Sequence, residues 1–359
     1  MKVLMFTQKV DENDPILGFT IRWIEELSKR VEELFVIASY VGSFKLPSNV
    51  KVMSLGKERR RNKLLRIFNI YKLSLPLIIK KKVDVIFLHM IPHYAWMLAG
   101  LPNLMGIRIY LWFAHKSVSL PLKLAIPFVS AVFTSYSEGF RIKTSKKNII
   151  SHGIDVEHFK YENVNKKNNS ERIILSVGRI SPIKDYETLI KAAGLLRDNG
   201  FKDFKVNIVG DIGTPEQAIY KEMLIDLVDE LGLGEYIELI GAVPYTEIAR
   251  CYFMCDVHVN LCPTGGLDKA VLEAMACGKL SLAANEGFRE TMGNYADWLL
   301  FRHGDTEDLA DHLALLLSMS SVERQQIGGY LRERVVQMHS LEQLTDKLVE
   351  SFSSIGPRK

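Results

Sequence analysis

The chain reads as an α/β protein of two Rossmann-like, doubly wound parallel-sheet domains facing a cleft. Three observations predict this. Its 359 residues exceed what one ordinary core supports. Short apolar runs rich in β-branched and aromatic residues alternate with helix-period patterns, the rhythm of parallel strands buried on both faces. That rhythm stops at a polar stretch, "YENVNKKNNSER", and then restarts. The domains are accordingly 1–165 and 166–335, with 336–359 as a C-terminal helix able to pack back on the first domain.

In the first half "KVLMFTQ" is a buried strand, and "GFTIRWIEELSKRV" follows with apolar residues at helical spacing. "LFVIASY", "VDVIFLHM", "RIYLWFAH" and "AVFTSYS" are further strands. In the second half "IILSVGR" is a strand. The helix "DYETLIKAAGLLRDNG" takes Asp185 as N-cap and Gly200 as its stop. "FKVNIVGD" is the next strand, followed by a helix with Leu224, Leu227, Val228 and Leu231 on one face. "YIELIG", "DVHVNL" and "LSLAAN" continue the sheet, and "SLEQLTDKLVESFSSI" is an amphipathic last helix. In such sheets ligands bind at the carboxyl ends of the strands.

Composition excludes several classes. Hydrophobic content of 47% and charged content of 25% are those of a globular protein. The start, "MKVLMFTQKV", turns polar too soon for a signal peptide, and the most apolar stretch contains two prolines and two histidines, a poor membrane span. Cys251, Cys255, Cys262 and Cys277 match no common zinc spacing and read as small core residues in a reducing cytosol. Charge is distributed unevenly. Residues 1–160 hold 25 Lys and Arg against 12 Asp and Glu, whereas the remainder holds 21 against 30. A basic first half suggests an anionic surface as its partner.

Two stretches carry chemistry. In "SVGRISPIKD" a strand ends at Gly178, and Arg179 and Lys184 occupy the short loop before a helix N-terminus. Two cations, backbone N–H groups and a helix dipole make an anion site suited to a diphosphate, although a pair of solvated surface cations has the same appearance. In "PTGGLDKAVLEAMACGK" a small-residued helix runs to Cys277 and stops at Gly278, with Glu273 in its middle. Lys269, four residues earlier, could form a plain salt bridge with it. Alternatively, the carboxylate could accept hydrogen bonds from two adjacent hydroxyls such as a ribose diol.

The order Gly-Arg-x4-Lys, a strand ending in Gly, then "LEAMACGK" resembles the retaining nucleotide-sugar glycosyltransferases of family 4, with the two-domain GT-B fold. "SHGID" at 151–155 resembles that family's turn into the second domain, and "GDTEDLADHLALLL" its late helix. The resemblance implies that Arg179, Lys184, Gly18, Gly266 and Leu267 bind the donor diphosphate and Glu273 the ribose. Gly241, Ala242 and Val243 would line the nucleobase slot, and His115 would stand beside the donor sugar as a catalytic residue. It also implies a route in which the acceptor attacks on the face of the leaving group, with closure of the domains excluding water. The family pattern is Glu-x7-Glu, and the position eight before Glu273 is Gly265. Asp268 is the substitute for that acid, in a donor-sugar set of Gly265, Asp268 and Lys269; Lys269 could pair with Glu273, touch the phosphate or read an acidic sugar.

No Asp-x-Asp pair occurs, so no cofactor or metal clamp is expected. The segment holding Arg59, Arg60, Arg61, Lys63 and Arg66, interleaved with Leu64, Leu65, Ile67 and Phe68, suits docking on an anionic bilayer; it equally suits a solvated helix face. The resemblance implies a nucleotide-sugar donor and a glycan or lipid-linked acceptor, and with the basic segment it suggests a cytoplasmic protein peripheral to the inner face of the membrane. No nucleic-acid motif accompanies the patch. The competing readings are a GT-B nucleotide-sugar epimerase, which needs no acceptor, and a non-catalytic partner subunit.

Overall fold

The computed structural model describes residues 1–14, 16–59, 62–115, 117–150, 152–160, 171–263 and 266–353, the side chains of Lys63 and Glu138 excepted. Arg60, Arg61, Gly265, Ser151 and most of the polar stretch after Lys160 lie outside that set. The chain forms two compact units. One comprises Met1–Gly153, Pro244–Thr246 and Leu341–Lys359; the other comprises Ile154–Val243 and Glu247–Ser340. The division falls after Gly153, earlier than the polar stretch at which the sequence rhythm breaks.

The first unit runs β1 (Lys2–Val10), α1 (Thr20–Ser28), β2 (Glu33–Val41), β3 (Val50–Ser54), α2 (Lys63–Ile79), β4 (Val85–His89), α3 (His93–Leu98), α4 (Gly100–Leu104), β5 (Arg108–Trp112), α5 (Leu120–Ala125), β6 (Ala131–Thr134) and β7 (Lys147–Ile149). Its strands pair in the order β3-β2-β1-β4-β5-β6-β7, all parallel. Successive side chains of a strand point to opposite faces. Leu4 and Phe6 therefore join one core with Ile70, Ile78 and Tyr94, while Val3 and Met5 join another with Trp23, Ile24 and Leu27. Each such side chain contributes about 1.5–3 kcal/mol on full burial. Edge strands β3 and β7 escape sequence reasoning because they are short and only partly buried.

The second unit runs β8 (Arg172–Val177), α6 (Tyr186–Asp198), β9 (Phe204–Val209), α7 (Ala218–Glu230), β10 (Ile237–Gly241), α8 (Tyr245–Met254, whose first two residues belong to the first unit), β11 (Val257–Asn260), α9 (Lys269–Ala276), β12 (Leu280–Ala283), α10 (Arg289–Met292), α11 (Ala296–Leu299), α12 (Thr306–Ser318) and α13 (Ser321–His339). Strand order is β10-β9-β8-β11-β12, again all parallel. The order reverses between β8 and β11, and a ligand crevice opens at such a switch point. The last helix, α14 (Leu341–Ser353), packs Leu344, Leu348 and Phe352 into the core beside α1. The 336–359 segment is thus not one helix: α13 ends at His339 and α14 starts two residues later.

Among the described residues, no helix is long and apolar enough to cross a membrane. Among the described residues, Cys251, Cys255, Cys262 and Cys277 form no disulfide. In the basic segment, Asn62 caps α2 by accepting from the Leu65 N–H at 2.9 Å. Arg59 is exposed, as are Leu64, Leu65, Ile67 and Phe68. Arg66 differs: it is partly buried, with Nε shielded from solvent.

Candidate functional site

The strand ends β8, β9 and β10 are tied together by glycines. The Gly178 N–H donates to Val209 O at 2.9 Å, and the Gly210 N–H donates to Gly241 O at 2.8 Å. Gly210 has φ +141°, and a Cβ there would lie 1.9 Å from Gly178 O, so no other residue fits. This close approach brings the loop after β8 against the loop after β9, where the Arg179 side chain lies along Gly213. Arg179 itself is exposed.

After Gly178 a short 3-10 turn, Pro182–Lys184, leads to α6. Asp185 occupies the N-cap position in the left-handed region, φ +47°. It does not cap backbone: its carboxylate accepts from the Thr188 hydroxyl at 2.9 Å. The turn sends Lys184 back over the strand end. A Cβ on Gly178 would be 3.0 Å from Lys184 Cε and 3.3 Å from Nζ. Two residues on from Lys184, the buried Tyr186 donates its hydroxyl to Gly178 O at 3.1 Å.

Across the switch point stands α9. Its N-cap is Asp268, whose carboxylate accepts from Lys184 Nζ and, at 3.0 Å, from Asn260 Nδ2. Lys184 is 15% exposed and Asp268 28%, so the pair is only thinly hydrated. Burial tends to raise the Asp268 pKa, but the charge and hydrogen bond of Lys184, aided by Asn260, hold it below the usual carboxylate range. Beneath them lies His258 on β11, its Nδ1 2.7 Å from Ser281 Oγ. Burial pushes this imidazole down to about 3, with Asp268 opposing and Lys184 reinforcing, so the ring is neutral. Two buried polar atoms here, His258 Nε2 and Asn260 Oδ1, have no hydrogen-bond partner among the described residues.

One turn into α9, Glu273 accepts a 3.0 Å hydrogen bond from the hydroxyl of Tyr252, which is itself fully buried on α8. Burial raises the Glu273 pKa, against the Lys269 charge and the Tyr252 hydroxyl. Burial lowers that of Lys269, against the charge of Glu273. Each of the two therefore favours the ionised form of the other. The helix ends with Cys277 as C-cap and Gly278 at φ +68°, the stop that sequence expects.

Lys184, Asp268 and Glu273 thus gather on the two sides of the β8/β11 crevice, with Arg179 on the adjoining loop. Gly266 and Leu267 precede the N-cap, and the Gly266 carbonyl accepts from Asn285 Nδ2 at 3.3 Å. Gly241 sits at φ +86° at the end of β10, followed by the exposed Ala242 and by Val243. Gly18 and His115 belong to the first unit. Gly18 packs so tightly in its own loop that a Cβ would lie 2.6 Å from Asp14 O. His115 follows β5 and is exposed, with Nδ1 2.7 Å from Ser117 Oγ and 3.1 Å from the Ser117 N–H. Gly265, Arg60 and Arg61 lie outside the described residues. Sequence reasoning missed Tyr186, Tyr252, His258, Asn260 and Gly210. The one available signal was the glycine ending "FKVNIVG", parallel to that ending "IILSVG". Among the described residues, no group of three or more His, Cys, Asp or Glu could hold a metal ion.

Residues 158–334 match the family model described as glycosyl transferases group 1. Among curated relatives, a D-inositol 3-phosphate glycosyltransferase of Nocardia farcinica is 33% identical over 150 residues, 41% of this chain and 33% of that protein. An N-acetylgalactosamine-N,N'-diacetylbacillosaminyl-diphospho-undecaprenol 4-alpha-N-acetylgalactosaminyltransferase of Campylobacter jejuni is 28% identical over 161 residues, 44% of this chain and 40% of that protein. The matched stretch therefore spans only about a third to two fifths of these relatives' length. Among solved structures, Anabaena HepE in complex with UDP and glucose superposes with a TM-score of 0.74 at 16% identity, covering 99% of this chain and all of that one. The fold is thus that of two Rossmann-like parallel-sheet domains of the GT-B class, and the stretch similar to group 1 glycosyl transferases is residues 158–334, in the second half of the chain.

Proposed function

We propose that the chain is a retaining, metal-independent glycosyltransferase of family 4 that moves a sugar from a nucleotide-diphosphate donor to a glycan or lipid-linked acceptor. The observation that carries this reading is the meeting of Lys184, Asp268 and the Tyr252-held Glu273 at one switch point. Breaking the anomeric bond places negative charge on the leaving diphosphate, and Arg179 and Lys184 stabilise it. Lys184 exchanges Asp268 for phosphate oxygens as the donor enters. The released Asp268 carboxylate then accepts a hydroxyl of the transferred sugar, in place of the acid missing at Gly265. Glu273, oriented by Tyr252, takes the ribose diol. The acceptor hydroxyl attacks the anomeric carbon on the face of the leaving group, and its proton passes to the departing phosphate oxygen. Gly18, Gly266, Leu267 and His115 enter through the family resemblance, as does the nucleobase slot at Gly241–Val243.

Two supports bear on the acceptor. The Campylobacter relative is named for a diphospho-undecaprenol substrate. The exposed Leu64, Leu65 and Phe68 beside Arg59 suit docking on an anionic, cytoplasmic leaflet, whereas Arg66 faces partly inward and contributes less. Co-sedimentation with anionic vesicles tests this part, and no binding at low salt removes it. Thermal shifts with UDP, GDP and ADP test the donor reading. The expected result is stabilisation by one of them that Glu273→Gln and Lys184→Ala both weaken; equal indifference to all three overturns it. Activity undiminished by EDTA is expected of a metal-independent transfer. Epimerisation of a donor without acceptor would favour the epimerase reading instead.

A further inference from the structure

At the opposite edge of the second sheet, where the strands begin, lies a cavity of about 430 Å³. Arg172 opens β8, Lys279 precedes β12, and α13 contributes Arg324 and Arg332; all four line it. Asp256 is the one acid among its lining residues. That carboxylate is already committed, accepting from the Ile173 N–H at 2.8 Å and standing 3.6 Å from Arg172 Nη1. The other cations also hold backbone carbonyls. Arg332 donates to Phe159 O at 3.0 Å, Val156 O at 3.1 Å and the carbonyl of Ala276; Lys279 donates to Phe253 O at 2.8 Å; Arg324 donates to the Met319 carbonyl.

Backbone carbonyls orient these cations, and the Asp256 and Glu323 carboxylates offset part of the charge at Arg324. Burial first, and then the neighbouring Arg172, push Arg324 below the ordinary arginine range against the Asp256 and Glu323 charges. Three arginines presented to one space, with a volume typical of small-molecule pockets, are the donor set that recognises phosphoryl oxygens. We propose that this cavity binds a small phosphorylated molecule, at a site separate from the crevice of Lys184 and Asp268. The two sites share α9, since Arg332 holds the carbonyl of its last residue.

Isothermal titration with inorganic pyrophosphate tests the proposal on the whole chain, with sodium chloride at matched ionic strength as the control. Arg324→Gln is expected to weaken one class of binding by about tenfold or more, the loss of charged hydrogen bonds. A Cβ at Gly329, which lines the cavity, meets nothing within 4 Å, so Gly329→Leu fills the space without touching a charge and serves should Arg324→Gln fold poorly. Arg179→Ala marks the other crevice. Loss of binding in Arg324→Gln or Gly329→Leu, with Arg179→Ala retaining it, supports the site whether or not the donor reading survives. Titrations of both cavity variants that match the unaltered chain overturn it.

Discussion

The two sheets have the same winding, yet their switch points hold different chemistry. In the first sheet the order reverses between β1 and β4, where Thr7 Oγ1 lies 3.1 Å from His89 Nδ1 and the His89 ring packs 5.0 Å from that of Trp23. Both polar residues are buried. In the second sheet the equivalent crevice gathers Lys184, Asp268, Lys269 and Glu273, all partly open to solvent. Shared topology makes a crevice in each sheet, and the proposed anion site rests on the charge and exposure of the second. Fold by itself does not assign function.

The comparison can be broken most sharply at Lys184. Lys184→Ala is expected to lower transfer by about a hundred- to thousandfold, the usual loss when one preorganised stabiliser of developing charge is removed. Initial rates under saturating acceptor check it; a loss below tenfold would leave the second crevice no more special than the first. Glu273→Gln comes next. Charged hydrogen bonds contribute about 1.5–3 kcal/mol, so nucleotide affinity should fall roughly ten- to hundredfold, read by calorimetry.

Tyr252→Phe removes only the hydroxyl that orients Glu273. A cost of about 1 kcal/mol, or roughly fivefold in nucleotide affinity, is expected. Asp268→Asn sharpens the contrast through pH. The folded pKa of Asp268 lies below its unfolded value, so the folded chain binds fewer protons in that window. Its stabilisation is therefore complete above the unfolded value, about 4, and disappears as pH falls through the lower folded value. Melting temperatures measured across the acid limb should fall less steeply in Asp268→Asn than in the unaltered chain. The smallest effect belongs to the first sheet. Thr7→Val should change stability by about 1 kcal/mol and leave nucleotide affinity within about twofold.

Much of the fold was legible because local rules reach far along this chain. Continuous apolar runs announced the central strands, which are the ones buried on both faces, and Gly200 and Gly278 stopped their helices as glycines at positive φ do. The edge strands β3 and β7 stayed hidden because half-buried strands need little apolar pattern. Of the site, the cations and Glu273 were visible as types and spacings. The pattern around Asp185 predicts a backbone cap, whereas in its left-handed conformation the carboxylate accepts from Thr188 instead. Tyr252 and His258 looked like ordinary core residues, which by burial they are.

The sequence by itself determined the two α/β halves, the helix stops and the placing of two cations and an acid near strand ends. These depend on hydrophobic period and glycine conformation, properties of neighbouring residues. Only the tertiary structure decided that Lys184 meets Asp268, 84 positions away, and that Tyr252 holds Glu273. The first of these partnerships exists because β8 lies beside β11 in the sheet. Strand order is a product of the whole packing, and no short-range pattern encodes it.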